Sequence, residues 1–193
     1  MEILKKRILQ DGVALSSEIL KVDSFLNHQF DVALIDLIGQ EFRARFEDIA
    51  DQVDKILTIE ASGIAVAALT AKYFNSVPVV FAKKGKPSTM SEGYYFTEIM
   101  SFTKHTLTAI RVDKKFIAEG ERCLIIDDFL ARGQAALGIV HIAREAGAKI
   151  LGAGIVIEKE FQEGGKRLRE KGVRVESLAV VSKIENGEIF FKT

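Results

Sequence analysis

The chain has 193 residues, 48% of them hydrophobic and 28% charged, and its 27 basic and 27 acidic side chains cancel. This length suffices for one domain with its own core, while zero net charge speaks against a broad nucleic-acid or membrane-surface binder, which carries a basic excess or face. Cys123 is the only cysteine, which excludes an intramolecular disulfide and any cysteine-based zinc cluster and fits a reducing cytosol.

The opening MEILKKRILQDG lacks the apolar core and small-residue cleavage site of a signal peptide, and no apolar run approaches the ~18 residues of a membrane-spanning helix. A cytoplasmic protein is expected. Asp11-Gly12 ends a short amphipathic helix, and 13–30 shows no clean period and is expected to wrap over the body. Asp31 is a candidate N-cap for a helix with Leu34, Ile38, Phe42 and Phe46 on one face. Short apolar runs then alternate with helical patterns: Lys55–Ile59, 77–81, 123–126 and 154–157, with helices expected over 64–74 and 133–146. Continuous apolarity means that both faces of each strand are covered, as in a parallel sheet flanked by helices. An α/β fold follows, central and mainly parallel, with its ligand site beyond the carboxyl ends of the strands.

One stretch breaks the alternation. Residues 83–113 hold the polar loop KKGKPSTMSEG and then β-prone runs at 94–96, 100–103 and 106–112. An inserted hairpin turning near Lys104-His105 accounts for them, and such an insertion can serve as a flexible lid. Nothing else marks a linker, so residues 1–193 are expected to form one domain.

The sharpest signal is IIDDFLARGQAA. An apolar strand ends in Asp127 and Asp128, and a loop with Gly133 then opens a helix. Two charges at the mouth of a dry sheet cost several kcal/mol if unpaired, so they require hydroxyls, cations or a metal-bound ligand. Backbone N–H groups of the loop and helix start form an anion cradle, where Gly133 permits close approach. Carboxylates for hydroxyls beside N–H groups for a phosphate describe a ribose 5-phosphate site; the alternative is a structural turn with an Asp cap. Glu60, Ala61, Ser62 and Gly63 repeat the strand, turn and helix-start logic and suit a diphosphate with its magnesium, although on its own this is an ordinary Ser-Gly turn. Lys159 ends the strand at 154–157, where a lysine is most commonly a surface strand end; having only donors, its ammonium otherwise suits an acceptor oxygen of a ligand. Phe161 beyond it either stacks on a ligand ring or packs locally.

IIDDFLARGQAA resembles the phosphoribosyl-pyrophosphate (PRPP) signature of type I phosphoribosyltransferases. The resemblance implies that Asp127 and Asp128 address the ribose hydroxyls and that Ala131, Arg132, Gly133, Gln134 and Ala135 wrap the 5-phosphate. Arg132 replaces the threonine common before the glycine, and either adds a phosphate contact or points to solvent. Ala131 stands where 6-oxopurine enzymes with an aspartate base carry that base, so that role is absent. The Glu60–Gly63 turn matches the pyrophosphate loop, and Lys83 and Lys84, following the strand that ends at Phe81, match basic residues directed at the same group. LKVDSFLNHQ, SFTK, VPVVFA and GIVIEK extend the resemblance over nearly the whole chain and make it similar to the bacterial xanthine phosphoribosyltransferases. There the residues matching Leu20, Asn27 and Lys159 contact xanthine, beneath a hood built from 12–30 and the C-terminal segment.

The resemblance therefore implies a cytoplasmic purine-salvage transferase that uses PRPP and xanthine, with magnesium, as a homodimer without nucleic-acid or membrane partners. Asp127, Asp128 and Lys84 are its expected catalytic residues; any side-chain hold on the metal falls to Asp127 or Asp128. The amide of Asn27 can donate to a 2-oxo group or, flipped, accept from a 2-amino group. A guanine or hypoxanthine enzyme is thus the nearest alternative, and a PRPP-sensing transcriptional regulator the more distant one.

Overall fold

The computed structural model describes residues 1–85, 93–101 and 106–192. Helix α1 (Glu2–Asp11) buries Leu4 and Ile8 and stops at Gly12, whose N–H returns to the Ile8 carbonyl at 2.9 Å. The irregular stretch after it contains more order than its sequence suggests: β1 (Val13–Ala14) pairs antiparallel with β2 (Leu20–Lys21), and a π-helical turn over Asp23–Asn27 buries Phe25 and Leu26. Helix α2 (Val32–Arg45) starts as expected, with Asp31 accepting from the Leu34 N–H at 3.1 Å, and its face of Leu34, Ile38 and Phe42 is buried.

The chain then lays down β3 (Lys55–Ile59), α3 (Gly63–Ala71), β4 (Val79–Lys84), β5 (Tyr94–Ser101), β6 (Thr106–Asp113), β7 (Arg122–Leu130), α4 (Gln134–Glu145), β8 (Lys149–Lys159), α5 (Gly164–Glu170), β9 (Val175–Glu185) and β10 (Glu188–Phe191). Among the described residues the main sheet runs β10-β9-β8-β7-β3-β4-β6-β5. Its five central members, β9, β8, β7, β3 and β4, are mutually parallel, and antiparallel strands flank them on both sides.

Strand alternation sends side chains into two separate cores. Ile56, Leu124, Ile126 and Val156 join the helices α1, α2 and α3, whereas Leu57, Ile125 and Ile155 join α4 and α5. Covered on both faces, β3 is buried at every position, so Ile56, Leu57 and Ile59 follow no alternating pattern and Lys55 and Thr58 are buried with them. Cys123 lies in the second core, where burial pushes its thiol up to about 11 and leaves it a packing residue.

The inserted hairpin forms at the expected place, with β5 and β6 paired in continuous register from Tyr94↔Asp113 to Ser101↔Thr106. Its strands are seated on α4: a β-carbon at Gly138 would lie 2.7 Å from Ile110 and 2.8 Å from Ile99. The expected turn at Lys104-His105 and most of the polar loop lie outside the described residues. The C-terminal segment supplies β9 and β10, which the sequence analysis does not identify, because VESLAVVSKIE mixes polar and apolar positions at a sheet margin. Their tight turn holds Asn186 and Gly187 at positive φ and borders a cavity of about 520 Å³ shared with Ala14, Leu15, Ser16 and Ser17.

Candidate active site

The carboxyl ends of β3, β4, β7 and β8 bring the expected residues to one edge of the sheet. One correction concerns Asp127 and Asp128. They lie inside β7 rather than at its end, because β8 continues alongside and keeps the pairing going from Asp127↔Ile155 to Leu130↔Glu158. Both are buried, at 3% and 8% exposure. The Asp128 N–H donates to Asp127 Oδ1 at 3.1 Å. Burial first, and the neighbouring Asp128 carboxylate second, hold the Asp127 carboxyl well above the usual range, with Lys84 pulling the other way.

One group beside Asp127 went unnoticed in the sequence. Thr58 is 1% exposed and its hydroxyl has no hydrogen-bond partner. Gly63 fits against both residues, since a β-carbon there would overlap the Thr58 hydroxyl and stand 2.6 Å from Asp127 Oδ1. The sequence signal for Thr58 was a lone hydroxyl within the apolar run KILTI.

After β7, residues 131–133 turn sharply. Gly133 adopts φ +79° and begins α4 with no side chain capping the helix, so the first-turn N–H groups are available to an anion. Opposite, the β3-to-α3 turn has a cis Glu60–Ala61 peptide, and Ser62 starts α3 without a side-chain cap bond. The Glu60 carboxylate accepts a short hydrogen bond from the Lys84 N–H.

A second correction concerns Lys83 and Lys84, which belong to β4 itself rather than to a loop beyond it. Alternation therefore sends them to opposite faces. Lys83 Nζ lies 5.9 Å over the Phe81 ring, whereas Lys84 acts electrostatically on Asp127. The structure brings only Lys84 into the field of the buried carboxylate.

Lys159 ends β8 with its pKa lowered by burial. Its ammonium donates to the Glu18 carbonyl at 2.9 Å and lies 5.8 Å from the Phe129 ring, tying the 13–30 stretch to the sheet. Leu20 and Asn27 line one cleft of about 420 Å³ together with Asp23 and His28. Phe161 packs against the first core, the local-packing alternative of the two that its sequence position allows. Phe129, missed in the sequence, is the aromatic ring beside Lys159; its place two residues after Asp127 on one strand was the available signal.

Among the described residues no cluster of three or more His, Cys, Asp or Glu is arranged to hold a metal ion. Asp127 and Asp128 supply only oxygen donors, which suits a hard cation that arrives with phosphate oxygens and needs one or two carboxylates from the protein.

Residues 22–186 match the model of the phosphoribosyl transferase domain. The chain is 56% identical over 192 residues to the xanthine phosphoribosyltransferase of Clostridium novyi, covering the whole of both chains. It is 53% identical over 191 residues to that of Ruminiclostridium cellulolyticum, covering 99% of each. Among solved structures, adenine phosphoribosyltransferase from Rhodothermus marinus superposes with a TM-score of 0.73 at 19% identity, covering 93% of this chain and 99% of the other. The Trypanosoma brucei adenine enzyme, in complex with AMP, pyrophosphate and ribose-5-phosphate, gives 0.74 at 17%, with coverages of 92% and 78%. At these identities the two structures establish the shared fold.

Proposed function

We propose that this chain, which belongs to the phosphoribosyl transferase domain family, transfers the 5-phosphoribosyl group of PRPP to N9 of xanthine, releasing xanthosine 5′-monophosphate and diphosphate. The observation that carries this reading is the buried Asp127-Asp128 pair leading directly into the uncapped, glycine-started N-terminus of α4. A sugar that presents hydroxyls to carboxylates and a phosphate to backbone N–H groups fits that arrangement, and relatives named for this reaction align over their full length.

In this reading Asp127 and Asp128 hold the ribose hydroxyls, and residues 131–135 hold the 5-phosphate. Breaking the bond to diphosphate develops positive charge at the anomeric carbon and negative charge on the leaving group. Catalysis is then mainly positioning and electrostatic. The buried carboxylates face the electron-poor sugar, while Lys84, as the catalytic cation, and the amides of Ala61, Ser62 and Gly63 face the diphosphate; Lys83, on the other face of β4, stays out of that contact. Glu60 holds the Lys84 main chain against this turn. When bound, magnesium neutralises diphosphate oxygens, with Asp127 or Asp128 as its protein ligand. The inserted strands β5 and β6 lie over this end of the sheet and serve to exclude water.

For the base, Lys159 exchanges its bond to the Glu18 carbonyl for the 6-oxo group. Leu20 and Asn27 line the purine cleft, and Phe161 supports its wall. Asn27 suits the 2-oxo group of xanthine and, with its amide reversed, the 2-amino group of guanine, so guanine is the second base that this site favours. A homodimer in the cytoplasm accompanies this reading; light scattering at twice the 21.4 kDa of the chain checks the first part.

The deciding experiment measures kcat/KM for xanthine, guanine, hypoxanthine and adenine with PRPP and magnesium. Xanthine is expected to lead, and a higher value for another base overturns the assignment. Lys159→Ala should then raise KM for xanthine about tenfold or more with little change for PRPP, as expected when a donor to a buried polar atom is lost.

A further inference from the structure

The stretch after Lys159 turns back and grips the 131–135 loop from outside. The Gly164 N–H donates to the Ala131 carbonyl at 3.0 Å. The Arg167 guanidinium reaches the Arg132 carbonyl at 3.5 Å. The two backbones are in close contact: a β-carbon on Gly133 would lie 3.1 Å from Gly164 Cα, and one on Gly164 would lie 2.7 Å from Gly133 N.

These bonds govern the direction of the loop's donors. In a trans peptide the C=O and the following N–H point opposite ways. Drawing the carbonyls of Ala131 and Arg132 outward toward α5 turns the N–H groups of Arg132 and Gly133 inward, toward the site.

The gripping segment is itself anchored. Glu158 is 2% exposed and sits beside Leu130 in register, one residue before the loop. Its carboxylate accepts from the Ser177 hydroxyl at 2.5 Å and from the Arg169 guanidinium at 3.3 and 3.4 Å. Gly165 rests on that carboxylate so closely that any β-carbon would overlap it. Bracket and base site are thus one continuous piece of chain: Glu158 and Lys159 are adjacent, and Gly164 and Arg167 follow within α5.

We infer that Glu158, Gly164 and Arg167 are positioning residues for the phosphate loop, setting the affinity for PRPP without touching it. The inference rests on the reading of 131–135 as the 5-phosphate cradle. Positioning errors transmitted through a supporting segment cost tens-fold in the extreme, so a visible effect is expected from a single lost bond.

The test compares Arg167→Ala, Arg167→Lys, Glu158→Gln and the loop variant Gly133→Ala by calorimetric titration with PRPP and magnesium, and by KM for each substrate. Arg167 has a 39% exposed side chain, so its replacement leaves the fold intact even if Glu158→Gln does not. Arg167→Ala should weaken PRPP about threefold to tenfold and change KM for xanthine less than about twofold, and Arg167→Lys should recover part of the loss. Unchanged PRPP affinity in Arg167→Ala, or equal losses for both substrates, overturns the inference. If Gly133→Ala weakens PRPP while Arg167→Ala does not, the bracket alone is refuted; if Gly133→Ala has no effect, the cradle reading fails and the bracket with it.

Discussion

Gly63 stands against Asp127 so closely that a β-carbon at position 63 would lie 2.6 Å from the carboxyl oxygen Oδ1, with the Thr58 hydroxyl overlapped on its other side. The start of α3 is therefore fitted to the buried carboxylate of β7, and the two proposed substrate loops share one packing contact. Gly63→Ala must displace Thr58, Asp127 or the turn. The expected result is a loss of about 1–3 kcal/mol of stability and a fall of at least about tenfold in kcat/KM for PRPP, read by denaturant unfolding and steady-state kinetics. Near-wild-type kinetics would show that Asp127 does not need its present position.

Asp127 itself should oppose stability and serve activity. Its folded carboxyl is held above the ordinary carboxylate range by burial and by Asp128. The folded state thus keeps a proton that the unfolded chain has lost, and stability falls as pH rises from the ordinary range through the raised value. Asp127→Asn removes that penalty. Its melting temperature should exceed that of the wild type at pH 7 and converge with it in acid, while turnover falls about 100-fold or more. Saturating PRPP and magnesium should stabilise the wild type more than the variant. A variant less stable than the wild type at pH 7 without ligand contradicts the assignment of cost.

The two lysines of β4 should separate in kinetics. Lys84 acts on Asp127, whereas Lys83 lies over Phe81 on the other face of the strand. Lys84→Ala is expected to lower kcat by about 100-fold, and Lys83→Ala by no more than about threefold. Equal losses would mean that both reach the diphosphate during turnover.

Asp54 and Arg122 join the starts of β3 and β7, with contacts of 2.9 and 2.7 Å from the guanidinium and a third from the Arg122 N–H at 2.9 Å. These hydrogen bonds hold the Asp54 carboxyl down at about 2. Such a depressed group adds stability above the ordinary carboxylate range and loses it as pH falls toward that value. Both side chains are more than a third exposed, so solvent screening limits the contribution to about 1 kcal/mol. Asp54→Asn should cost that much at pH 7 and nearly nothing near pH 2, measured by urea unfolding at both values.

Much of this architecture was legible in the sequence because the parallel strands and their helices write strong periodic signals. The Lys55–Ile59 strand, the Asp31 cap and the paired hairpin strands appear where the pattern places them. β9 and β10 escaped notice, since strands near a sheet margin alternate weakly and draw their definition from partners. The glycine of the 131–135 loop was readable as a backbone requirement, and its φ of +79° bears that out. Thr58 and Glu158 were not readable as site supports, because nothing local tells that Thr58 is packed beside Asp127 at Gly63, or that Glu158 is held by Ser177 and Arg169 from distant segments.

By itself, the sequence determined the chemistry available: carboxylates, lysines, glycine-opened helix starts and the order in which strands deliver them. Which groups meet was decided by the tertiary structure. The extension of β8 keeps Asp127 and Asp128 within a paired strand, β-strand alternation parts Lys83 from Lys84, and the return of α5 to β7 joins Gly164 to the Ala131 carbonyl. Each depends on register between segments far apart in the chain, and register is a property of packed strands that a local pattern does not contain.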